Sequence, residues 1–329
     1  MSRFRTVINI PGSDSQISHN TSTIFVGSCF ADNIGLKLSE YKFPVEHNPF
    51  GVLYNPVSII NDLEIIINKK LLAESDLYYY NEQWLSFNHY SAFSNPDKKE
   101  CLRQINEKIE SASSFLHDAS YLFITFGTAW VYEFKKSGKI VANCHKIPAN
   151  EFKRYLLDVN DIVNSYKIFH KKLKKINPEI KVILTVSPIR HWKDGADMNQ
   201  VSKSTLLLSI YLLRKEFPEI DYFPIYEIFM DELRDYRFYR NDMLHPSEIA
   251  IEYIWDRFTS TYIDEQSKLI INEIEKLKKA INHKPFNVKS NIYQKFIKNN
   301  LDYIELLQKK YPFLNFNKEK DFFMLQLSG

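Results

Sequence analysis

The chain has 329 residues, enough for one large or two ordinary domains with a substantial hydrophobic core. Hydrophobic residues make up 44% of it and charged residues 25%, which excludes a disordered, collagenous or coiled-coil protein. The formal net charge of +3 is too small to indicate a nucleic-acid partner.

Buried-strand patterns alternate with helical patterns as far as residue 258. Runs of β-branched and aromatic residues predict short buried strands at residues 23–26, 121–126, 182–186 and 222–225. Apolar residues at helical spacing predict helices at residues 30–41, 56–67, 97–116, 159–176, 201–217 and 246–258. This alternation is typical of βαβ units and predicts an α/β fold around a parallel sheet.

Turn-forming residues add detail to this pattern. Asn55 and Pro56 are predicted as the N-cap and first residue of a helix, and Pro246 is predicted to begin the last helix of the α/β unit. Turn signals between strand-like runs predict hairpins at residues 77–87 and 132–141.

Residues 265–329 differ from the rest in pattern and charge. They contain no strand pattern, and amphipathic stretches at residues 269–281 and 292–307 predict helices. They hold 12 Lys and 7 Asp plus Glu, a net charge of 12 − 7 = +5, which leaves 3 − 5 = −2 for residues 1–264. We therefore predict one α/β domain at residues 1–264 and a helical C-terminal extension at residues 265–329. The extension is either a solvated helical appendage or an arm that binds an anionic surface.

Cysteine usage and apolar runs indicate the compartment and the cofactors. Cys29, Cys101 and Cys144 show no CxxC spacing, so neither a disulfide framework nor a zinc site is expected. No apolar run approaches the length of a membrane span, and none of signal-peptide length follows the N-terminus. We expect a cytoplasmic protein with no metal, no cofactor, and no nucleic-acid or membrane partner.

A candidate nucleophile follows the first predicted strand. Gly27 ends that strand and Ser28 precedes the first helix. Ligands of open α/β sheets bind beyond the carboxyl ends of the strands, and a helix N-terminus offers backbone amides to an oxyanion. Ser28 therefore lies where a nucleophile is expected, although an ordinary helix cap explains the same position.

Asp242 and His245 form a candidate acid–base pair. In a turn, a carboxylate three residues before a histidine reaches Nδ1 and leaves Nε2 free to accept a proton from a nucleophile. The pair follows the last predicted strand and precedes the last helix of the α/β unit. This location favours a catalytic role more than the spacing alone does.

Short segments along the chain resemble one bacterial protein family. Gly27-Ser28-Cys29-Phe30-Ala31 resembles the signature of the GSCFA family, which is allied to the SGNH, or GDSL-like, hydrolases. Further segments agree with that family in order, at residues 48–51, 125–130, 143–146, 187–191 and 242–246. The resemblance extends over about residues 20–260.

Similarity to the SGNH hydrolases implies both a fold and a site. The implied fold is a three-layer α/β/α sandwich with a parallel sheet in flavodoxin-like order. The implied catalytic triad matches Ser28, Asp242 and His245. The implied oxyanion donors are the Ser amide, here that of Ser28, a Gly of the second block, here Gly51, and an Asn of the third block.

The third block departs from the superfamily pattern, because Ala129 stands where the donor Asn is expected. Losing one oxyanion donor costs about 10²–10³ in rate, so a working enzyme needs a substitute. Thr128, through its hydroxyl and amide, and Asn143, on the returning arm of the predicted hairpin, are the two candidates. Asn143 is preferred, because an amide donates without having to orient a hydroxyl hydrogen.

Substrate contacts are expected at the same edge of the sheet. Arg190 and His191 follow a predicted strand and stand beside a tryptophan, a combination that suits an anionic or sugar-like ligand. Asn48, Trp130 and His145 lie in the family segments and complete the predicted substrate-binding set.

A thiol nucleophile is the alternative within the same segments. His145 stands beside Cys144 and would serve as its base, and Cys29 stands beside Ser28. Against this, Cys29 is expected to point into the helix packing, and buried structural thiols are expected for Cys29, Cys101 and Cys144.

Together these observations predict a serine carboxylic-ester hydrolase. Ser28 attacks the acyl carbonyl, His245 transfers the proton and Asp242 orients the imidazole. Because relatives in the superfamily commonly deacetylate carbohydrate, the resemblance implies an acetylated carbohydrate or a similar small acyl ester as substrate. The alternatives are an O-acyltransferase, with a sugar hydroxyl in place of water, and a non-catalytic ligand-binding or scaffold protein, which Ala129 favours.

Overall fold

The structure is a computed structural model that describes residues 5–12 and 16–327. Its strands, in chain order, are β1 (Thr23–Gly27), β2 (Val45–His47), β3 (Tyr78–Tyr80), β4 (Gln83–Leu85), β5 (Tyr121–Phe126), β6 (Trp130–Phe134), β7 (Lys139–Val141), β8 (Phe152–Leu156), β9 (Lys181–Val186) and β10 (Asp221–Tyr222). Its α-helices are α1 (Cys29–Glu40), α2 (Pro56–Ile67), α3 (Lys98–His117), α4 (Val159–Ile176), α5 (Gly195–Glu216), α6 (Ile225–Glu227), α7 (Glu248–Tyr262), α8 (Glu265–Ile281), α9 (Asn291–Lys310) and α10 (Asn317–Leu327).

The central sheet has five parallel strands in the order β10-β9-β5-β1-β2. Numbered along the chain, these five strands stand in the order 2-1-3-4-5, which is the flavodoxin-like arrangement. The chain reverses its direction of growth between β1 and β5, and ligands of such sheets bind at that switch point. The predicted α/β class and strand order are confirmed.

Each face of the central sheet is covered by helices, because alternate strand residues point to opposite sides. Ile24 and Val26 pack in one buried cluster with α2 to α5. Phe25 and Phe123 pack in a second cluster with α1 and α7 to α10. The result is a three-layer α/β/α sandwich.

Two small antiparallel units lie outside the central sheet. β3 pairs with β4, and β7, β6 and β8 form a sheet of their own in the order β7-β6-β8. Phe134 and Phe152 of the three-stranded sheet pack against Tyr78 and Phe87, so the two units share one apolar cluster. The predicted hairpins at residues 77–87 and 132–141 are present, whereas β8 has no counterpart in the sequence prediction.

Two predicted boundaries near the end of the α/β unit are wrong. The strand predicted at residues 222–225 ends at Tyr222, because Pro224 leads directly into α6. The last helix does not begin at Pro246. Ser247 caps α7, with its hydroxyl accepting the Ala250 amide at 3.4 Å, so the proline lies outside the helix.

The C-terminal residues are helical, as predicted, and they pack on the α/β unit. Ile270, Ile297 and Phe323, one from each of α8, α9 and α10, are at most 2% exposed. They belong to the same buried cluster as Phe25 of the central sheet. In the described part of the chain no helix is long and apolar enough to cross a membrane.

Candidate active site

Ser28 lies at the turn from β1 into α1, at the switch point of the sheet. Gly27 makes this turn possible: its φ is +127°, and a Cβ at this position would lie 2.1 Å from the carbonyl oxygen of Thr125 on β5. Ser28 is 1% exposed, and its hydroxyl caps α1 by accepting the Phe30 amide at 3.4 Å. The cap role that the sequence allowed is therefore present.

Asn48 supports the same turn and does not line the cleft described below. Its side-chain oxygen accepts the Gly27 amide at 2.8 Å, and its side-chain amide donates to Asp32 at 3.4 Å. Asp32 also contacts His47 Nδ1 at 3.1 Å. Because Asn48 is 8% exposed and committed to these bonds, its position favours a structural role over the predicted substrate contact.

Asp242 and His245 are joined as the spacing predicted. Asp242 Oδ2 lies 2.6 Å from His245 Nδ1, while Oδ1 accepts the amides of Leu244 and His245, each at 2.9 Å. These amides and the imidazole hold the pKa of Asp242 down at about 2. A carboxylate that stays ionised and contacts Nδ1 leaves Nε2 facing outward, as a general base requires.

Ser28 and His245 line one cleft, which has a volume of about 790 Å³. Most of the other predicted site residues line it too, namely Thr128, Trp130, Asn143, Arg190 and His191. No hydrogen bond joins Ser28 to His245 within the described residues. Catalytic hydrogen bonds are often long before substrate binds, so the absence of this bond does not exclude that Ser28 and His245 pair in a complex with substrate.

The predicted oxyanion donors are engaged in the structure. The Ser28 amide donates to the Thr125 carbonyl at 3.2 Å, and the Gly51 amide donates to the Asn48 carbonyl at 2.8 Å. Gly51 also lies outside the cleft lining. The Thr128 amide donates to the Tyr54 carbonyl at 2.9 Å.

Two backbone amides one residue further along are unengaged. Cys29 and Val52 both line the cleft, and within the described residues neither backbone amide has a hydrogen-bond acceptor outside its own residue. Cys29 is the first residue of α1, where the helix dipole and the unpaired amides favour negative charge. The turn therefore offers donors next to the positions that the sequence indicated.

The two candidate side-chain donors are held differently. The Thr128 hydroxyl lies 3.0 Å from that of Ser202, which also accepts the Ala129 amide at 2.8 Å. Asn143 donates its side-chain amide to Ser91 at 3.3 Å and accepts the His145 amide at 2.9 Å. One Asn143 amide hydrogen is thus left for a ligand, and the Thr128 hydroxyl donates only if Ser202 supplies the bond between them.

His145 itself is not part of the cleft lining, and its ring nitrogens contact Ser86 and Ser91 rather than Cys144. Its Nε2 lies 2.9 Å from the Ser86 carbonyl, which fixes this nitrogen as a donor, and burial lowers the pKa of the ring. Burial also raises the pKa of the Cys144 thiol to about 11 and raises that of Cys29. Both thiols line the cleft, so the expectation of buried packing is correct only for Cys101.

Comparison with known proteins places the chain in a family. Residues 22–258 match the GSCFA family, and residues 274–329 match the C-terminal domain of GSCFA domain proteins. The chain belongs to the GSCFA family. The GSCFA segments at residues 27–31, 125–130, 187–191 and 242–246 each contribute to the cleft.

Other comparisons are more distant. No curated protein sequence matches this GSCFA chain. A solved structure described as an acetyl xylan esterase (Est2A) from the rumen bacterium Butyrivibrio proteoclasticus is similar at 12% identity and a TM-score of 0.31. The match covers 66% of this chain and 57% of that one.

One wall of the GSCFA cleft is aromatic and cationic. Arg154 on β8 stacks over Trp130, with its guanidinium carbon 4.1 Å from the ring centroid, and forms an ion pair with Asp194. Lys193 donates to the Tyr132 hydroxyl at 2.6 Å. Sequence reasoning missed Arg154 because β8 was not predicted, and only its tertiary pairing with β6 brings it here.

A buried lysine lies beneath the cleft. Lys203 on α5 is 0% exposed and donates to the carbonyls of Gly127 and Ser187 at 2.5 and 2.6 Å. These carbonyls follow β5 and β9, so one ammonium holds two cleft loops together. Burial lowers the pKa of Lys203 to about 7, and burial together with Lys203 and His245 lowers that of His191 to about 4.

Within residues 5–12 and 16–327, no group of three or more His, Cys, Asp or Glu side chains is placed to hold a metal ion.

Proposed function

We propose that this protein is a serine carboxylic-ester hydrolase of SGNH type. The observation that supports it is the meeting of Ser28 and His245 at one cleft, with Asp242 Oδ2 2.6 Å from His245 Nδ1. A nucleophile, a base and a group that orients the base are the three parts that acyl transfer to a serine needs.

In the proposed reaction, Ser28 Oγ attacks the acyl carbonyl and His245 Nε2 takes the hydroxyl proton. The tetrahedral intermediate then collapses, and His245 returns that proton to the departing alcohol. Water, deprotonated by the same imidazole, attacks the acyl-enzyme; the second tetrahedral intermediate expels Ser28 Oγ, which takes the proton back from His245, and the acid is released. Asp242, whose pKa of about 2 keeps it ionised, stabilises the imidazolium in both steps.

The oxyanion in this proposal is bound by a revised donor set. Cys29 and Val52 line the cleft and their backbone amides donate to no other residue, whereas the amides of Ser28 and Gly51 already have acceptors. The remaining hydrogen of the Asn143 side-chain amide is the proposed third donor. Such preorganised donors are worth about 10²–10³ in rate each.

The finer proposal is that the substrate is an acetyl ester of a carbohydrate. Trp130 and Tyr132 line the same cleft as Ser28. Flat aromatic side chains with a few polar groups are suited to a sugar ring.

Labelling with a fluorophosphonate followed by peptide mass spectrometry tests the serine mechanism. The adduct is expected on Ser28, and Ser28→Ala should abolish it. Ser187→Ala deletes the same hydroxyl from another residue of the cleft lining and should leave the labelling intact. A folded wild-type protein that takes no label, or a label that persists in Ser28→Ala, would contradict the proposal.

A further inference from the structure

Charge is distributed unevenly over the cleft. Among the described residues that line it, none is Asp or Glu, whereas three are Arg or Lys: Arg154, Arg190 and Lys193. A second cleft of about 820 Å³, between α2 and the small sheets, is lined by both Glu and Lys side chains. The charged side chains that line the candidate active site are therefore all cations, whereas the second cleft has charges of both signs.

Two of the three cations have no carboxylate partner in the described residues. Arg154 is paired with Asp194. Arg190 contacts the Met230 sulfur at 3.8 Å and the Trp192 ring at 5.9 Å, and Lys193 donates to the neutral Tyr132 hydroxyl at 2.6 Å. The Arg190 guanidinium therefore keeps most of its five donors for a ligand.

Unpaired cations in a concave site have a chemical consequence. A cleft lined by charge of one sign raises the local concentration of the opposite charge and speeds its association. The planar guanidinium matches the geometry of a carboxylate or phosphate, and charge-assisted hydrogen bonds are about twice as strong as neutral ones. A neutral ester would leave the Arg190 guanidinium without an anionic partner.

We propose that the natural ester carries an anionic group, bound by the Arg190 guanidinium while Ser28 attacks the acyl carbonyl. This inference rests on the proposed esterase function and narrows its substrate class to esters of acidic sugars or similar anionic ring alcohols. In this proposal the sugar ring lies beside the aromatic rings of Trp130 and Tyr132, and the Arg190 guanidinium binds its carboxylate or phosphate.

A matched substrate pair tests the charge. The probes are a fully acetylated methyl glucuronoside, which has a free carboxylate, and its neutral uronamide of the same shape. Acetate release by the wild type should favour the glucuronoside in kcat/KM by about tenfold or more at low salt. Arg190→Gln should reduce this preference to near unity. Arg103→Gln removes the same charge on α3, outside the cleft, and should keep the preference.

Binding measurements separate this inference from the esterase proposal. Calorimetry with Ser28→Ala should give tighter binding of the glucuronoside than of the uronamide, and Arg190→Gln in that background should remove the difference. If acetate is not released but this difference is found, the esterase proposal fails and the anion site stands. Equal binding of the two probes, or a preference that persists in Arg190→Gln, would overturn the anion site.

Discussion

At the scale of single residues, Asp242 has two roles. One of its side-chain oxygens accepts hydrogen bonds from two backbone amides, and the other contacts His245. Asp242→Asn keeps an oxygen for the amides, so the turn should survive. The new NH₂ group faces Nδ1 and forces the proton onto Nε2, which can then no longer act as a base. We expect kcat to fall by about 10²–10⁴ with little change in melting temperature. A loss of less than tenfold would argue against a catalytic triad.

The cleft thiols should be unreactive at neutral pH. Burial raises the pKa of Cys144 to about 11, so its thiolate fraction is very small at pH 7. Iodoacetamide should therefore leave esterase activity intact at pH 7. The rate of Cys144 alkylation, followed by peptide mass spectrometry, should rise about tenfold per pH unit between pH 7 and 10. Fast, pH-independent alkylation would mean that His145 activates the thiol after all.

Lys203 should link stability to pH. Burial lowers its pKa to about 7 in the folded protein from the ordinary value of 10.5, which represents the unfolded chain. Below pH 7 Lys203 is protonated in both the folded and the unfolded protein, so folding includes the full free-energy cost of burying its charge. Between pH 7 and 10 the unfolded chain binds more protons, so stability rises with pH. Urea titrations give the free energy of unfolding of the wild type and of Lys203→Met. The difference, wild type minus variant, should increase between pH 7 and pH 10. A constant difference would show that Lys203 does not titrate there.

At the scale of elements, the closeness of β1 and β5 depends on Gly27. A Cβ there would meet the Thr125 carbonyl at 2.1 Å, and φ is +127°. Gly27→Ala should cost at least about 2 kcal/mol and displace Ser28. Gly138→Ala is the control, because φ is +64° there but nothing lies within 4 Å of the added Cβ. Backbone strain alone should cost it about 1 kcal/mol. If chemical denaturation shows equal losses of stability for Gly27→Ala and Gly138→Ala, the close approach of β1 to β5 does not explain the cost at Gly27.

Local chemistry determined which elements the sequence could predict. Asn55 caps α2 through its side-chain oxygen, 2.8 Å from the Ser58 amide, and Pro56 begins that helix as predicted, because both effects lie within one turn. β8 is held by its pairing with β6, a contact between distant parts of the chain that leaves no local pattern.

The features of the candidate site also divide into those that local spacing predicts and those that depend on contacts between distant parts of the chain. Asp242 and His245 are three residues apart, and their contact follows from the spacing. Whether a backbone amide is free depends on which carbonyl lies opposite. The resemblance implied the amides of Ser28 and Gly51 as donors, whereas in the structure the amides that donate to no other residue are those of Cys29 and Val52.

At the scale of the whole molecule, the C-terminal helices are tied to the N-terminal part of the chain. His19 lies 2.9 Å from the Ser267 hydroxyl on α8 and 3.0 Å from the Tyr41 carbonyl at the end of α1. Tyr41 donates its own hydroxyl to Glu275 on α8 at 2.7 Å. The charge shift near residue 264 therefore marks a change in sequence pattern across a continuous packed structure, and the family match at residues 274–329 begins inside α8.

A chain that ends at Asp264 tests whether the extension is a separate unit. Its removal would expose apolar side chains of the α/β unit that share one buried cluster with Ile270, Ile297 and Phe323. Each fully buried side chain of this size contributes about 1.5–3 kcal/mol, and a domain has only about 5–15 kcal/mol of net stability. The shortened chain should therefore aggregate or melt far below the intact protein, as measured by calorimetry and size-exclusion chromatography. A soluble shortened chain with an unchanged melting temperature would establish residues 1–264 as an independent domain.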